Sequence, residues 1–199
     1  MNRHRWIAVV VAIVIAAVAA LVLLRPGQKP PPGPLSGAAI GGTYALTDQT
    51  GQRFTDTMLK GRFAVYYFGY TYCPDVCPLD VANLAKGLKL FTAADAARAA
   101  RVQPVFVTVD PARDTPPVLK AWLAAFDPRM IGLTGSPAQI DAVRKAFRVY
   151  AQAQGVGRDY LVDHSAAIYL FGPDGKPISF VERGATPAAI AADLDRYVR

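Results

Sequence analysis

The residues of this chain best suited to chemistry are its two cysteines, Cys73 and Cys77, which are separated by three residues. The seven-residue run FAVYYFG ends shortly before them and has the composition and length of a buried strand. Pro78 follows the second thiol, and apolar residues recur after it at helical spacing, so we expect a helix that begins at Pro78. The pattern predicts a strand, a loop that carries both thiols, and a helix.

A helix N-terminus beside the thiols carries unpaired N–H groups and partial positive charge, which favour thiolate over thiol. We therefore expect lowered thiol pKa values. The thiolate is the form that attacks a disulfide and also the form that binds metal. A structural disulfide is the competing interpretation, but it would close a loop of only a few residues, for which stabilisation is smallest. A functional thiol pair is the better explanation.

His164 is the one histidine outside the extreme N-terminus, where His4 lies. We expect it immediately before a strand that starts at Ser165. A histidine satisfied at the mouth of the core is the alternative. Two thiolates and one imidazole form a soft, three-ligand set that suits Cu(I), and that holds Cu(II) if a further ligand joins. Structural zinc normally requires four ligands and would lack one.

Residues 6–24 form a run of 19 residues without a charge, behind Arg3 and Arg5. As a helix this run would be about 28 Å long, which matches a hydrocarbon core of about 30 Å. A cleaved signal peptide is the alternative, but its apolar region usually has only about 7–15 residues. We expect residues 1–25 to be a retained, single-pass anchor in the cell inner membrane, with the remaining chain in the periplasm.

The rest of the chain divides into a proline-rich linker, residues 26–35, and a globular domain, residues 36–199. Five prolines in the linker favour an extended, semi-rigid segment. The whole chain has a net charge of +7, but residues beyond 34 carry 18 Lys and Arg against 15 Asp and Glu. This balance, without an arginine-rich run, gives no support to nucleic-acid binding.

The domain has the pattern of an α/β fold. Predicted strands cover residues 43–46 and 53–55, which form a hairpin, and then residues 63–69, 104–109, 130–133, 166–171 and 178–181. Predicted helices begin at Pro78, Thr115, Ser136 and Thr186, and a short alanine-rich helix ends near residue 100.

Without the hairpin and an inserted segment over residues 130–152, the order is that of the thioredoxin fold. We therefore expect a mixed sheet with a βαβαββα core, one N-terminal hairpin and one insertion, preceded by a single transmembrane helix. The strand that starts at Ser165 would run antiparallel to FAVYYFG, so His164 and the thiols would meet at one sheet edge. Asp110 follows the second core strand and would reach the same edge.

Three stretches, YFGYTYCPDVCP, VTVDPARDTP and YLVDHSAAIYLFGPDG, resemble the Sco/SenC family of membrane-anchored copper proteins that assist assembly of cytochrome c oxidase. The resemblance covers roughly residues 36–199. It implies that Cys73, Cys77 and His164 are copper ligands. Tyr72 stands where some members carry histidine, so it is not counted as a ligand.

Neighbouring acidic and basic residues have expected roles around that ligand set. Asp163 is a candidate to orient the ring of His164, unless it only ends a loop. Asp110 is the residue of the DPARDT stretch that we expect nearest the metal. Arg113 and Asp114 are expected to stabilise the loop.

The resemblance implies a copper metallochaperone that delivers Cu(I) or Cu(II) to the binuclear centre of an oxidase subunit. Its expected partners are that copper-accepting subunit and another periplasmic copper carrier. The alternative is a membrane-anchored thiol-disulfide oxidoreductase that reduces the subunit's cysteines, so enzymatic activity is left open. A peroxiredoxin-type peroxidase fits poorly, because Tyr66 and Tyr70 stand where that pattern requires proline and threonine or serine before Cys73.

Overall fold

The computed structural model describes residues 3–23, 31–155, 157 and 159–199. Its contacts divide the chain into two compact units: the first contains helix α1 (Arg3–Leu23), and the second comprises Pro31–Val198. Within the described ranges, no helix has both the length and the apolar character required to cross a bilayer. The anchor over residues 1–25 stays a prediction, and residues 26–30 of the predicted linker lie outside the described residues.

The second unit contains nine described strands, five described α-helices and one described 3₁₀ helix (Asp56–Leu59). The strands are β1 (Ala45–Asp48), β2 (Arg53–Thr55), β3 (Phe63–Gly69), β4 (Val102–Thr108), β5 (Ile131–Thr134), β6 (Ala151–Gln154), β7 (Leu161–His164), β8 (Ala167–Phe171) and β9 (Pro177–Glu182). The helices are α2 (Val76–Ala94), α3 (Ala96–Ala99), α4 (Pro116–Leu123), α5 (Pro137–Ala146) and α6 (Pro187–Tyr197).

Seven of the strands form one mixed sheet in the order β2-β1-β5-β4-β3-β8-β9. Strand β3 pairs parallel with β4 and antiparallel with β8, and β8 pairs antiparallel with β9. These four strands, with α2, α4 and α6, are the predicted thioredoxin-like βαβαββα core. The insertion adds β5 parallel to β4, and the N-terminal hairpin β1–β2 extends the sheet further.

The centre of the sheet is buried on both faces. Every residue of β3 and of β4 is buried, as expected for parallel neighbours that are covered by helices on both sides. Helix α5 begins at a complete capping box, in which Ser136 and Gln139 bond to each other's backbone N–H groups. The thiol loop begins at the C-terminal end of β3, a strand that is buried over its whole length.

The segment before β1 packs at the end of the sheet opposite to the thiol loop. The N–H of Leu35 donates to the carbonyl of Ile178, and the N–H of Gly41 donates to the carbonyl of Ala146. Gly41 has a φ of 90° and lies against the ring of Phe171, where a Cβ would be 2.6 Å from a ring carbon. Because Phe171 belongs to the strand end that pairs with the start of β3, the chain enters the domain at the end remote from the thiols.

Two differences from the predicted elements concern the site. Helix α2 begins at Val76 and not at Pro78, so Cys77 lies in its first turn. His164 precedes β8, the strand that pairs with β3, as predicted, but it also ends β7, which forms a separate two-stranded sheet with β6. We did not predict this hairpin, because AQAQ in β6 has none of the β-branched or aromatic residues that indicate a strand.

Gly87 in α2 lies where α6 crosses it, and a Cβ at this position would be 2.8 Å from Ile190 Cγ2 and 3.0 Å from the carbonyl oxygen of Pro187. Gly87→Ala should therefore lower the free energy of unfolding by about 1–2 kcal/mol, since the overpacking outweighs the gain in helix propensity. Urea denaturation of the full-length protein, followed by tryptophan fluorescence, measures the change. Lys86→Ala on the exposed side is the control and should shift stability by less than about 0.5 kcal/mol. A Gly87→Ala protein as stable as the parent would contradict this packing.

Candidate metal centre

The loop that leads from β3 to the thiols is held by one buried carboxylate. Asp114, which is fully buried, accepts hydrogen bonds from the N–H of Thr71 at 3.1 Å and from the hydroxyl of Thr71 at 2.6 Å. It also accepts from the hydroxyl of Thr108 at 2.6 Å, at the end of β4. The expected stabilising role of Asp114 is therefore confirmed: it ties the residues just before Cys73 to the neighbouring strand.

The two cysteines are free thiols in different environments. Cys73 is half-buried in the turn before α2, and its Sγ accepts from the N–H of Cys77 at 3.4 Å. Cys77 is fully buried, and a Cβ at Gly69 would lie only 3.1 Å from its Sγ. The thiol of Cys77 therefore fits because residue 69 has no side chain.

Burial, not the helix N-terminus, controls the ionisation of Cys77. Removal of the thiol from solvent raises the pKa of Cys77 to about 12, and nearby Cys73 acts in the same direction. Our expectation of a lowered pKa was wrong for this residue. The partial charge at the start of α2 is too small to compensate for the lost hydration of a thiolate.

His164 completes a pair with the buried thiol. Its Nε2 lies 3.2 Å from Cys77 Sγ, and its Nδ1 lies 2.9 Å from the carbonyl oxygen of Ser165. A carbonyl only accepts hydrogen bonds, so Nδ1 carries the proton and Nε2 presents a lone pair toward the sulfur. Burial lowers the pKa of His164, which favours this neutral form. A neutral imidazole in this tautomer is the form that ligates a metal.

The two carboxylates that we expected to serve the site have different positions. Asp163 is exposed and lines the same cavity as Cys73 and His164, but the hydrogen bond that orients the ring of His164 goes to the carbonyl of Ser165. The role of Asp163 toward the ring stays a prediction. Asp110 accepts from Arg113 and from the hydroxyl of Tyr160, and it borders a neighbouring cavity instead of the thiol cavity.

Two buried polar residues near the thiol were missed by sequence reasoning. The hydroxyl of Tyr67 donates to Asp80 at 3.2 Å, and the N–H of Gly184 donates to the other oxygen of Asp80 at 2.9 Å. The side chain of Asp80 follows Cys77 by three positions in α2, a spacing that puts both on one helix face. That spacing was a usable signal. Burial raises the pKa of Tyr67. Burial lowers the pKa of His164, and the negative charge of Asp80 offsets part of that lowering.

The donors fit a soft metal. Cys73 and His164 line one cavity together with Tyr70, Leu161 and Arg183. The sulfur of Cys77 and the nitrogen of His164, 3.2 Å apart, are close enough to share one ion, because metal bonds to sulfur and nitrogen are about 2.0–2.3 Å long. In the described ranges, no group of three or more His, Cys, Asp or Glu side chains is already arranged as a metal site. The preformed part is the Cys77–His164 pair.

Known proteins provide an independent comparison. Protein SenC of Rhodobacter capsulatus is 43% identical over 162 residues, which cover 81% of this chain and 72% of that protein. The structure of Bradyrhizobium japonicum ScoI with copper bound is 44% identical, with a TM-score of 0.72, over 80% of this chain and 99% of that one. Some relatives are longer: this chain spans 48% of mitochondrial SCO2 of Saccharomyces cerevisiae.

A more distant structure is that of BsSco, for which a disulfide switch is described and which is a member of the Sco family of cytochrome c oxidase assembly proteins. It is 25% identical, with a TM-score of 0.65, over 85% of this chain and 97% of that one. The model of the SCO1/SenC family matches residues 33–199. The chain therefore belongs to the SCO1/SenC family.

Proposed function

We propose that this protein binds copper and assists the maturation of the binuclear copper centre of cytochrome c oxidase. The observation that carries the proposal is the pair formed by the Cys77 sulfur and the unprotonated Nε2 of His164, 3.2 Å apart. Copper is the proposed metal because the chain belongs to the SCO1/SenC family and a relative of 44% identity is described with copper bound. Copper is the cargo in this role, and the partner is the copper-accepting oxidase subunit.

The proposed ligands are Cys73, Cys77 and His164. Thiolate and imidazole donors suit Cu(I), and Cu(II) would require one further ligand. Because the pKa of Cys77 is about 12, this thiol is protonated at neutral pH, and copper binding must displace its proton. Copper affinity should therefore fall as the pH falls, since protons compete for the same sulfur.

The two thiols of the proposed copper site differ in their access to solvent. Cys77 is fully buried, whereas Cys73 is half-buried and lies with His164 at a cavity that opens to solvent. Ligands of a partner would thus approach from the side of Cys73. The candidate partners are the copper-accepting oxidase subunit and another periplasmic copper carrier.

A thiol-disulfide oxidoreductase is the second candidate function. The observation that favours it is that both cysteines are free thiols and that the sulfur of Cys73 lies 3.4 Å from the N–H of Cys77. The high pKa of Cys77 makes its thiol a poor nucleophile at neutral pH, so Cys73 would attack the substrate disulfide. Such chemistry does not require His164, and this residue separates the two functions.

We also propose the location that the sequence predicts: a single-pass anchor over residues 1–25, a linker over residues 26–35, and the domain over residues 36–199 in the periplasm. The support is the uncharged run of 19 residues behind Arg3 and Arg5. This placement puts the thiols in a compartment where disulfides form, which the thiol-disulfide oxidoreductase function requires.

His164→Ala should abolish tight Cu(I) binding in an anaerobic titration against a chelator, because two thiolates remain where three donors are needed. The loss should exceed the about 10–100-fold expected for removal of a ligand's hydrogen-bond partner. Asp163→Asn is the matched control and should bind nearly as the parent does, since Asp163 does not bond the ring.

In cells that carry only His164→Ala, cytochrome c oxidase activity should be lost at limiting copper, while the Cys73–Cys77 disulfide still forms and is still reduced. Normal oxidase activity in that strain would reject copper delivery and favour the thiol reductase.

Cys77 should be alkylated by iodoacetamide very slowly in the reduced, metal-free protein. With a pKa of about 12, only about 10⁻⁴ of the Cys77 thiols are ionised at pH 8, and burial blocks access as well. Mass spectrometry of a Cys73→Ser variant isolates the reaction of Cys77, with glutathione as the reference thiol. The rate should rise about tenfold per pH unit between pH 8 and 10. A Cys77 rate equal to that of glutathione would contradict the buried, protonated thiol.

The location has its own test. Full-length protein should stay in the membrane pellet after a carbonate wash, because an uncharged helix of 19 residues is held by the hydrocarbon core. Mass spectrometry of the N-terminus reports cleavage. Soluble protein that starts between residues 21 and 28 would show that the run is a signal peptide.

A further inference from the structure

The strand that carries His164 is not part of the main sheet. In the described part of the chain, β6 and β7 pair with each other and with no strand of the seven-stranded sheet. Other contacts must therefore hold β7 against the thiol loop. At one end, the N–H of Ser165 donates to the carbonyl of Tyr150, and Arg144 donates to the carbonyl of Ala151 at 3.0 Å. The opposite end, where β7 begins, is held by a different group.

That group consists of Asp110, Arg113 and Tyr160. The guanidinium of Arg113 lies 3.7 Å from the ring centre of Tyr160, and its Nη1 donates to the carbonyl of Tyr160 at 2.9 Å. Nε of Arg113 donates to Asp110, whose other oxygen accepts from the hydroxyl of Tyr160. Asp110 and Arg113 thus contact the ring, the carbonyl and the hydroxyl of Tyr160, the residue that immediately precedes β7.

Arg113 also contacts the thiol loop. Its guanidinium lies 4.8 Å from the ring centre of Tyr72, the neighbour of Cys73, and 5.7 Å from that of Tyr70. The hydroxyl of Tyr70 accepts from the N–H of Val162 in β7 at 3.1 Å, and its ring packs edge-on to His164 at 5.8 Å. Arg113 therefore bridges the segment before Cys73 and the strand that ends at His164.

We propose that Arg113 is a positioning residue for the histidine arm of the metal site. It holds the start of β7 against the thiol loop, so that His164 stays within ligand distance of Cys77 before copper arrives. The inference rests on the proposed copper function. The proposal predicts that Arg113 affects the position of His164 but not the copper affinity of the two thiols themselves. Arg113 is only 14% exposed, so its charge acts with little screening by solvent.

The test substitution is Arg113→Lys, which keeps the charge beside Asp110 but loses the planar stacking on Tyr160 and the fixed geometry of the Nη1 bond. Cu(I) affinity of the full-length protein in mild detergent should fall about 10–100-fold, as for other residues that orient a ligand. Arg129→Lys is the matched control, because Arg129 also forms an ion pair with an aspartate, Asp127, which precedes it by two positions in the chain. It should change affinity by less than about twofold.

A double-mutant cycle tests the route. In a His164→Ala background, Arg113→Lys should change the residual Cu(I) affinity by less than about threefold, because the arm that it positions no longer carries a ligand. Equal losses in both backgrounds would show that Arg113 acts on the thiols or on the whole fold, and would overturn the inference. An unchanged affinity in the His164 parent would overturn it as well.

Amide hydrogen exchange of the metal-free protein separates this inference from the copper function. Arg113→Lys should accelerate exchange at Val162, whose N–H bonds to Tyr70, and leave Val65 in the centre of β3 unchanged. A parent without tight copper binding would reject the proposed function, but the exchange at Val162 would still decide whether Arg113 holds β7. If Arg113→Lys does not fold, Tyr160→Phe removes only the hydroxyl bond to Asp110 and should act in the same direction, less strongly. Unchanged exchange at Val162 in both variants would overturn the inference.

Discussion

The contact between Cys77 and His164 joins residues that are 87 positions apart, and every other feature of the site serves it. The sheet brings the two segments to one edge, because β3 and β8 run antiparallel. The buried setting then decides the chemistry. A thiol without solvent keeps its proton, and an imidazole without solvent stays neutral, so the metal-free pair is uncharged. Removal of that one proton turns the pair into a thiolate and an imidazole aimed at the same point.

Three buried carboxylates near the site connect neighbouring segments through hydrogen bonds and an ion pair. Asp114 bonds Thr71, before Cys73, and Thr108, at the end of β4. Asp110 pairs with Arg113, and Asp80 joins α2 to the turn after β9 through Gly184. Each carboxylate is buried and finds its partners within the protein. A buried carboxylate without partners would be strongly unfavourable, so each one constrains the segments that supply its donors. These constraints connect the segments around the Cys77–His164 pair.

Much of this structure could be predicted from the sequence. The FAVYYFG run is β3 as predicted, because seven consecutive apolar residues that precede a turn have few alternatives. The order of core elements follows from the same kind of signal, and so does the meeting of His164 with the thiol edge. Hydrophobic pattern is a strong indicator wherever an element is buried on both faces.

The failures have different physical causes. The β6–β7 hairpin is polar and largely exposed, so its strands leave no hydrophobic pattern. The pKa of Cys77 depends on how deeply the sulfur is buried behind Gly69, which local sequence does not reveal. The orientation of the His164 ring depends on one backbone carbonyl, and any residue type supplies a carbonyl. Asp80 was the exception, since its spacing from Cys77 was visible.

The point at which the chain enters the domain affects how a partner can approach the thiols. Gly41 packs on Phe171, which lies near the start of β3, whereas the thiol loop leaves from the end of that strand. The five or six residues between these points separate them by roughly 15–20 Å. A macromolecule that docks over Cys73 would therefore not compete for space with the segment that leads into the domain. The end of the sheet that carries the thiols is thus spatially separate from the end at which the chain enters the domain.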